Sequence, residues 1–192
     1  VDETTSLHAP SHLYTATKLT GEYYCQAYSK LYGLEFTILR YGIPYGPRAR
    51  DGAVIPIFVK KALNGEPLTI AGDGSQFRKF VYVEDLADGN VLALQSIAKN
   101  KIYNLDGKEQ ITIKQIAETI KEIIGNVKIE FTPARPGDFS GKEISSKKAK
   151  DELGWEPRTS FKEGVRRYIE WFKSREDGRK KDWEDVNEML RK

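Results

Sequence analysis

The sequence predicts a mixed α/β protein. Helical and strand patterns alternate from one end of the 192 residues to the other. Glycine or proline follows most of these segments, as at the ends of helices and strands. Apolar residues make up 39% of the chain and charged residues 31%, with 10 Tyr, 8 Phe and 3 Trp, which argues against wholesale disorder.

Helices are predicted from apolar spacing and from capping residues. In the first, Leu19, Tyr23 and Leu31 fall on one face, and Gly33 follows where the helix should end. An N-cap Ser or Thr followed three residues later by Glu or Gln predicts two later helix starts. The predicted helices are 14–32, 54–64, 85–96, one from Thr112 to Gly125, one from Ser145 or Ser146 to Leu153, and one from Ser160 to Phe172.

Short runs of β-branched and aromatic residues between these helices predict strands. The predicted strands are 36–39, 68–70, 80–83, 102–105 and 127–131. Segment 41–52, rich in Gly, Pro and Arg, predicts a loop, and 71–75 predicts a turn. Segment 174–192 is mostly charged, so we expect a mobile link followed by a short amphipathic helix.

Composition excludes several classes of protein. The net charge of +3 is too balanced to indicate a nucleic-acid partner. The single cysteine, Cys25, excludes a disulfide framework and a multi-cysteine zinc site, and we expect a buried, inert thiol. His8 and His12 are four apart, but Pro10 between them argues against a helical metal site, so we expect no metal. No apolar run approaches the ~18 residues of a membrane span, and no signal peptide opens the chain. We therefore expect a cytoplasmic protein without membrane association.

Tyr14 and Lys18 form the first candidate for chemistry. Their four-residue spacing places a phenol and an ammonium on the same helix face. A nearby positive charge favours a phenolate, which brings a tyrosine toward acid/base work. The same spacing also fits an ordinary exposed helix pair, so by itself it is a weak signal.

Six motifs follow in order between Tyr14 and Phe172. They are Tyr14-Thr-Ala-Thr-Lys18-Leu-Thr-Gly-Glu22, Leu39-Arg-Tyr-Gly-Ile-Pro-Tyr-Gly-Pro-Arg48, Val54-Ile-Pro-Ile-Phe58, Gly72-Asp-Gly-Ser-Gln-Phe-Arg-Lys-Phe-Val-Tyr-Val-Glu-Asp85, Arg135-Pro-Gly-Asp138 and Leu153-Gly-Trp-Glu-Pro157. Together they resemble the extended short-chain dehydrogenase/reductases, specifically NAD-dependent nucleotide-sugar epimerases and dehydratases. Within that family the chain looks most like UDP-glucose 4-epimerase-like members.

The resemblance implies a domain arrangement. Residues 1–50 would be the last part of a Rossmann-type NAD-binding domain, and 51–173 mainly a small α/β domain that binds the sugar nucleotide. Segment 77–105 would return to the Rossmann sheet, and 174–192 would be a charged tail. The family's glycine-rich cofactor fingerprint and catalytic Ser/Thr are not found in these residues. The chain therefore resembles the second half of such an enzyme, and we expect it to be inactive alone.

The resemblance also implies roles near the cofactor. Tyr14 matches the catalytic tyrosine, which takes the proton from a sugar hydroxyl as hydride passes to NAD. Lys18 matches the lysine that assists the tyrosine and holds the nicotinamide ribose. Tyr41, Gly42 and Ile43 match the loop near the nicotinamide and the sugar.

Further positions match the substrate site of the family. Arg78 matches the arginine that binds the nucleotide diphosphate, and Arg135 a second phosphate-binding arginine. Asp138 matches the acid that contacts the ribose. Val54 and Phe58 are the first and last residues of the segment that matches the one flanking the nucleobase and sugar in the family. A guanidinium grips phosphate oxygens in a bidentate way, and a carboxylate accepts hydrogen bonds from hydroxyls.

At one place the chain differs from the family's motif, so the motifs do not identify the sugar of the substrate. Many epimerases have Phe-Asn where this chain has Gly42-Ile43, and isoleucine cannot make the hydrogen bond of that asparagine. The function predicted is a UDP-glucose/UDP-galactose 4-epimerase-like activity. A 4,6-dehydratase or reductase, or a non-catalytic nucleotide-sugar-binding module, remains open. The resemblance also implies a homodimer through helix 14–32.

Overall fold

A computed structural model of the chain describes residues 1–5, 10, 12–134 and 143–190, and side chains as far as residue 175. The chain divides into two compact units. The first comprises Val1–Pro44, Arg78–Gln110 and Gly141–Arg158. The second comprises Tyr45–Phe77, Ile111–Ser140 and Thr159–Lys192.

Helices and strands alternate along the described residues, as the sequence predicted. The elements in chain order are α1 (Leu13–Tyr32), β1 (Thr37–Tyr41), β2 (Ile43–Tyr45), α2 (Val54–Leu63), β3 (Leu68–Ala71), β4 (Phe77–Tyr82), α3 (Val83–Leu92), a 3₁₀ turn (Ser96–Ala98), β5 (Lys101–Leu105), β6 (Gln110–Thr112), α4 (Ile113–Ile124), β7 (Ile129–Thr132), α5 (Lys147–Leu153) and α6 (Phe161–Leu190).

The first unit contains a pair of parallel strands. β1 pairs with β5 from Thr37 opposite Lys101 to Tyr41 opposite Leu105. Because the strands are parallel, their carboxyl ends lie at one edge. The core packed around β5 contains Val81, Leu86, Ala98, Tyr103, Leu105, Ala149, Leu153 and Trp155.

Polar groups in this core are satisfied by specific hydrogen bonds. The indole Nε1 of Trp155 donates to the backbone oxygen of Asp85 at 2.8 Å. The Glu152 carboxylate accepts from Lys101 Nζ and from the Tyr103 hydroxyl, both at 2.7 Å. These bonds connect α5 and the segment after it to β5 and α3.

The second unit contains a second parallel pair, β3 and β7, with Leu68 opposite Ile129 and Ala71 opposite Thr132. Helix α4 begins with the predicted capping box, in which the Thr112 and Gln115 side chains each bond the other's backbone N–H. The buried residues of this unit include Ile55, Phe58, Val59, Leu68, Ile70, Ile116, Ile120, Val165, Tyr168 and Ile169.

A third sheet has the strand order β2-β4-β6.

The structure corrects three expectations. Helix α6 runs unbroken from Phe161 to Leu190, so the predicted link at 174 is wrong. Its Glu, Lys and Arg residues are good helix formers, and no proline interrupts them. The predicted loop 41–52 contains β2. Cys25 is exposed rather than buried, because α1 buries none of its residues.

Helix α1 therefore carries its apolar face uncovered in the described part of the chain. Tyr23 is 63% exposed and Leu31 is 72% exposed. Periodicity predicted the helix but not what would cover it. Across the described residues, no helix combines the length and apolar character that crossing a bilayer requires.

Candidate functional site

Helix α1 places the two predicted catalytic groups together. The Nζ atom of Lys18 lies 5.3 Å from the centre of the Tyr14 ring, as four-residue spacing on a helix dictates. Tyr14 is 72% exposed, so a ligand can reach its hydroxyl. The helix thus presents an exposed phenol with an ammonium group over its ring on the same face.

The C-terminal end of α1 is set by local backbone chemistry. Gly33 follows the helix in the left-handed region, with φ of 69°, and its N–H donates to the Ser29 oxygen at 2.9 Å. Glycine adopts this conformation at little cost, which is why it ends helices. Within the first turns, the Thr17 hydroxyl donates to the Tyr14 backbone oxygen at 2.7 Å.

An ion pair connects α1 to β1, one turn beyond Lys18. Arg40 Nε and Nη2 donate to the two carboxylate oxygens of Glu22, each at 2.7 Å. The two side chains are only 24% and 16% exposed. The pKa of Arg40 is raised above its ordinary value, chiefly because the guanidinium donates to the Glu22 carboxylate. A bidentate pair has a defined direction, so it holds the helix in one orientation on the strand.

The carboxyl ends of β1 and β5 carry the predicted loop residues. The Tyr41 hydroxyl donates to Asn90 Oδ1 at 2.7 Å. The Gly42 N–H donates to the Leu105 oxygen at 2.8 Å, and Ile43 is 39% exposed. Ligands of open parallel sheets bind beyond the carboxyl ends of the strands. This edge is therefore a suitable place for a cofactor or substrate.

Asp106 is a buried acid at the same edge. It is 4% exposed, and its Oδ1 accepts from the Gly107 N–H at 2.9 Å. Its own N–H donates to Ser146 Oγ at 2.8 Å. Burial raises the pKa of its carboxyl group, against the opposing effects of the Gly107 bond and the Lys79 charge. A Cβ atom on residue 42 would lie 2.1 Å from Asp106 Oδ1, so the close approach here requires glycine.

The predicted substrate-binding residues are distributed over both units. Arg78 lies half-buried on β4 of the first unit. In the second unit, Val54 is the first residue of α2 and is half-buried, while Phe58 is 5% exposed and belongs to the core. Arg135 and Asp138 lie outside the described residues, as does His8.

Two of the partners found here gave no sequence signal. Asn90, which accepts from Tyr41, lies 49 residues further along the chain. Asp106 fills the space beside Gly42 from the end of another strand. Glu22 stands four residues after Lys18, at helical spacing, and that spacing could have pointed to it.

The chain matches a family model described as "NAD dependent epimerase/dehydratase family" over residues 1–106. It is 36% identical over 178 residues to a putative UDP-glucose 4-epimerase of Methanocaldococcus jannaschii, covering 91% of this chain and 57% of that relative. The chain thus spans little more than half the length of this relative.

Two solved structures show the same likeness. A UDP-glucose 4-epimerase from Thermotoga maritima, solved with UDP-glucose, matches with a TM-score of 0.84 and 35% identity, over 91% of this chain and 57% of that one. A dTDP-glucose 4,6-dehydratase from Bacillus anthracis, solved with NAD, matches with a TM-score of 0.81 and 29% identity, over 91% and 56%. These likenesses confirm the Rossmann-type α/β fold class predicted from the sequence.

Proposed function

The chain belongs to the NAD-dependent epimerase/dehydratase family, and we propose that its protein is a nucleotide-sugar 4-epimerase that acts on a UDP-sugar. The observation that carries the proposal is the exposed Tyr14 phenol beside the Lys18 ammonium on α1. The relative and one solved structure described above are UDP-glucose 4-epimerases by name, and they support the choice of substrate.

The chemistry proposed for α1 is a proton transfer. Tyr14 Oη takes the proton from the C4 hydroxyl of the sugar and later returns it. The Lys18 ammonium stabilises the phenolate by its charge and donates hydrogen bonds to ribose hydroxyls. Bound NAD supplies a reversible hydride acceptor for the same carbon.

The exposed groups of the first unit support a position there for the nicotinamide end of NAD. An ammonium and a phenol project from α1, and Tyr41, Gly42 and Ile43 lie at the carboxyl end of β1 and the start of β2. We propose that these residues hold the nicotinamide and its ribose. No Gly-x-Gly-x-x-Gly cradle for the pyrophosphate occurs among the 192 residues.

The nucleotide itself is assigned to cationic and apolar residues. We propose that Arg78 and Arg135 bind the diphosphate, that Asp138 accepts from the ribose, and that Val54 and Phe58 flank the base and the sugar. Because the side chain of Phe58 is in the core, we propose that it shapes the wall of the nucleotide site.

The test compares two tyrosines of the same helix. In the whole gene product that carries these residues, Tyr14→Phe should lower interconversion of UDP-glucose and UDP-galactose by about 100-fold or more, the scale of general acid–base catalysis. Tyr24→Phe is the matched control, since Tyr24 is also exposed, at 64%. UDP affinity should be unchanged in both. Unchanged turnover of the Tyr14 variant would contradict the assignment.

The products decide between the related reactions. Conversion of the substrate to its 4-epimer, followed by NMR, supports the proposal. Accumulation of a 4-keto-6-deoxy sugar would make the protein a dehydratase. UDP binding without any turnover by the whole gene product would leave a binding module.

The apolar face of α1 supports a homodimer. Tyr28 and Tyr32 are 52% and 69% exposed, and their rings lie 5.3 Å apart. We propose that two copies cover each other through α1. Light scattering on the whole gene product should give twice the monomer mass, and Tyr28→Asp should return it toward the monomer. We also propose a cytoplasmic location, which cell fractionation would test.

A further inference from the structure

A cavity of about 470 Å³ lies in the first unit and contains none of the site residues predicted above. Its volume is in the range of small-molecule sites. Its walls come from β4, from the residues after β5, from the start of α5 and from the segment after α5. The cavity is therefore a candidate for a second ligand.

Positive charge dominates the lining. The charged side chains are two carboxylates, Asp106 and Glu156, and five cations, Lys79, Lys108, Lys147, Lys150 and Arg158. Lys147 pairs with Asp151 on its own helix. Lys79 and Lys150 also have acidic partners, Glu143 and Glu156. Among the described residues of the lining, Lys108 and Arg158 therefore supply most of the excess positive charge.

Three of these cations gather around one acid. Lys150 Nζ donates to Glu156 Oε2 at 2.7 Å. That bond is the main cause of the lowered pKa of Glu156, and the charges of Lys108 and Arg158 lower it further. Glu156 thus neutralises at most one of the three, which leaves charge for an added anion.

Lys79 adds a cation that is largely removed from water. Its side chain is only 13% exposed, and its Nζ is 3.5 Å from the Glu143 carboxylate, which is 72% exposed. Successive side chains of a strand point to opposite faces. Lys79 therefore faces away from Arg78, so this cavity is separate from the diphosphate position proposed for Arg78.

The rest of the lining suits an organic group with hydroxyls. Ile144 and Pro157 contribute apolar surface. The Ser146 hydroxyl and the Asp106 carboxylate lie in the same wall, and both can accept hydrogen bonds from a ligand hydroxyl.

We propose that this cavity binds a small organic phosphate with hydroxyl groups, such as a sugar phosphate. Lys108, Lys150 and Arg158 hold the phosphate, and the hydroxyls face Ser146 and Asp106. The cavity contains none of the residues assigned above to NAD or to the UDP-sugar, so its ligand does not depend on the proposed 4-epimerase activity.

The experiment is titration calorimetry of the chain with glucose 6-phosphate, inorganic phosphate and UDP. The Lys108→Ala/Arg158→Ala variant should bind glucose 6-phosphate about tenfold more weakly or worse, the scale of charge-assisted hydrogen bonds, and should bind UDP as the unchanged chain does. The matched control is Lys128→Ala/Lys173→Ala, which removes two exposed cations of the second unit. It should bind glucose 6-phosphate normally.

Four results would overturn the proposal. They are no saturable binding of glucose 6-phosphate, an equal loss in the control variant, equal affinity for inorganic phosphate, and loss of glucose 6-phosphate binding on Arg78→Ala. The last would place the ligand in the proposed nucleotide site. Loss of UDP binding alone would count against the proposed function and not against this cavity.

Discussion

At the carboxyl ends of β1 and β5, the Asp106 carboxylate fills the space that a Cβ atom on residue 42 would need. A Cβ atom on residue 42 would lie 2.1 Å from Asp106 Oδ1 and 3.2 Å from its Cα. Gly42 thus has a structural partner in Asp106. A side chain at 42 cannot coexist with the aspartate in this position.

Gly42→Ala should therefore destabilise the first unit, by about 1–3 kcal/mol, as overpacking does. Urea unfolding followed by circular dichroism measures the loss. The matched control is Gly21→Ala on α1, where a Cβ meets nothing within 4 Å, and which should be neutral or stabilising. Adding Asp106→Ala to Gly42→Ala should recover part of the loss. If the double variant lost the sum of the two single losses in free energy of unfolding, that result would contradict a contact between the residues.

The buried acid predicts a pH dependence. Burial raises the pKa of Asp106, so the folded state holds its proton more tightly than the unfolded chain. The stability that this proton binding contributes is present below the unfolded pKa, near ~3.9, and is lost as pH rises through the folded pKa. Asp106→Asn removes that dependence while keeping an acceptor for the Gly107 N–H.

We therefore expect Asp106→Asn to be more stable relative to the unchanged chain at pH 7 than at pH 4. Urea midpoints at the two pH values measure the difference. Asp88→Asn, at an exposed position of α3, is the control and should show no such trend. If the stability difference between Asp106→Asn and the unchanged chain were the same at both pH values, ionisation of Asp106 would not destabilise the folded state.

The Glu22–Arg40 pair should stabilise the attachment of α1 to β1. Glu22→Gln leaves a mostly buried guanidinium without its charged partner, so we expect a loss of about 1–3 kcal/mol. The Lys99–Glu35 pair, with 52% and 57% exposed side chains, is the comparison. Glu35→Gln there should cost less than about 1 kcal/mol. Equal losses in urea unfolding would show that the bidentate geometry adds nothing.

Arg78 should contribute to nucleotide affinity through charge. Arg78→Ala should weaken UDP binding about tenfold or more at low salt, and by less at high salt, because salt screens a contact with phosphate. Calorimetry at two salt concentrations measures both effects. Lys79→Ala, whose side chain points to the opposite face of β4, should leave UDP affinity unchanged. An Arg78 variant with normal UDP affinity would exclude Arg78 from the site.

The sequence alone determined the features that depend on neighbours along the chain. The capping box of Thr112 and Gln115 and the helical end at Gly33 follow from local backbone chemistry. So does the pairing of Tyr14 with Lys18, because helix geometry places residues four apart on one face. The motifs that carry the family resemblance are also local, and the family match over residues 1–106 confirms the family that they predicted.

Only the tertiary structure decided what meets across long separations. Asp106 excludes a side chain at Gly42, Asn90 accepts from Tyr41, and Lys108 and Arg158 lie near the same carboxylate. It also showed that the apolar face of α1, with Cys25, is uncovered among the described residues. Periodicity states that a helix has an apolar face, but the surface that covers it comes from elsewhere in the fold or from another molecule. Such contacts arise from packing between distant segments, and local spacing carries no information about them.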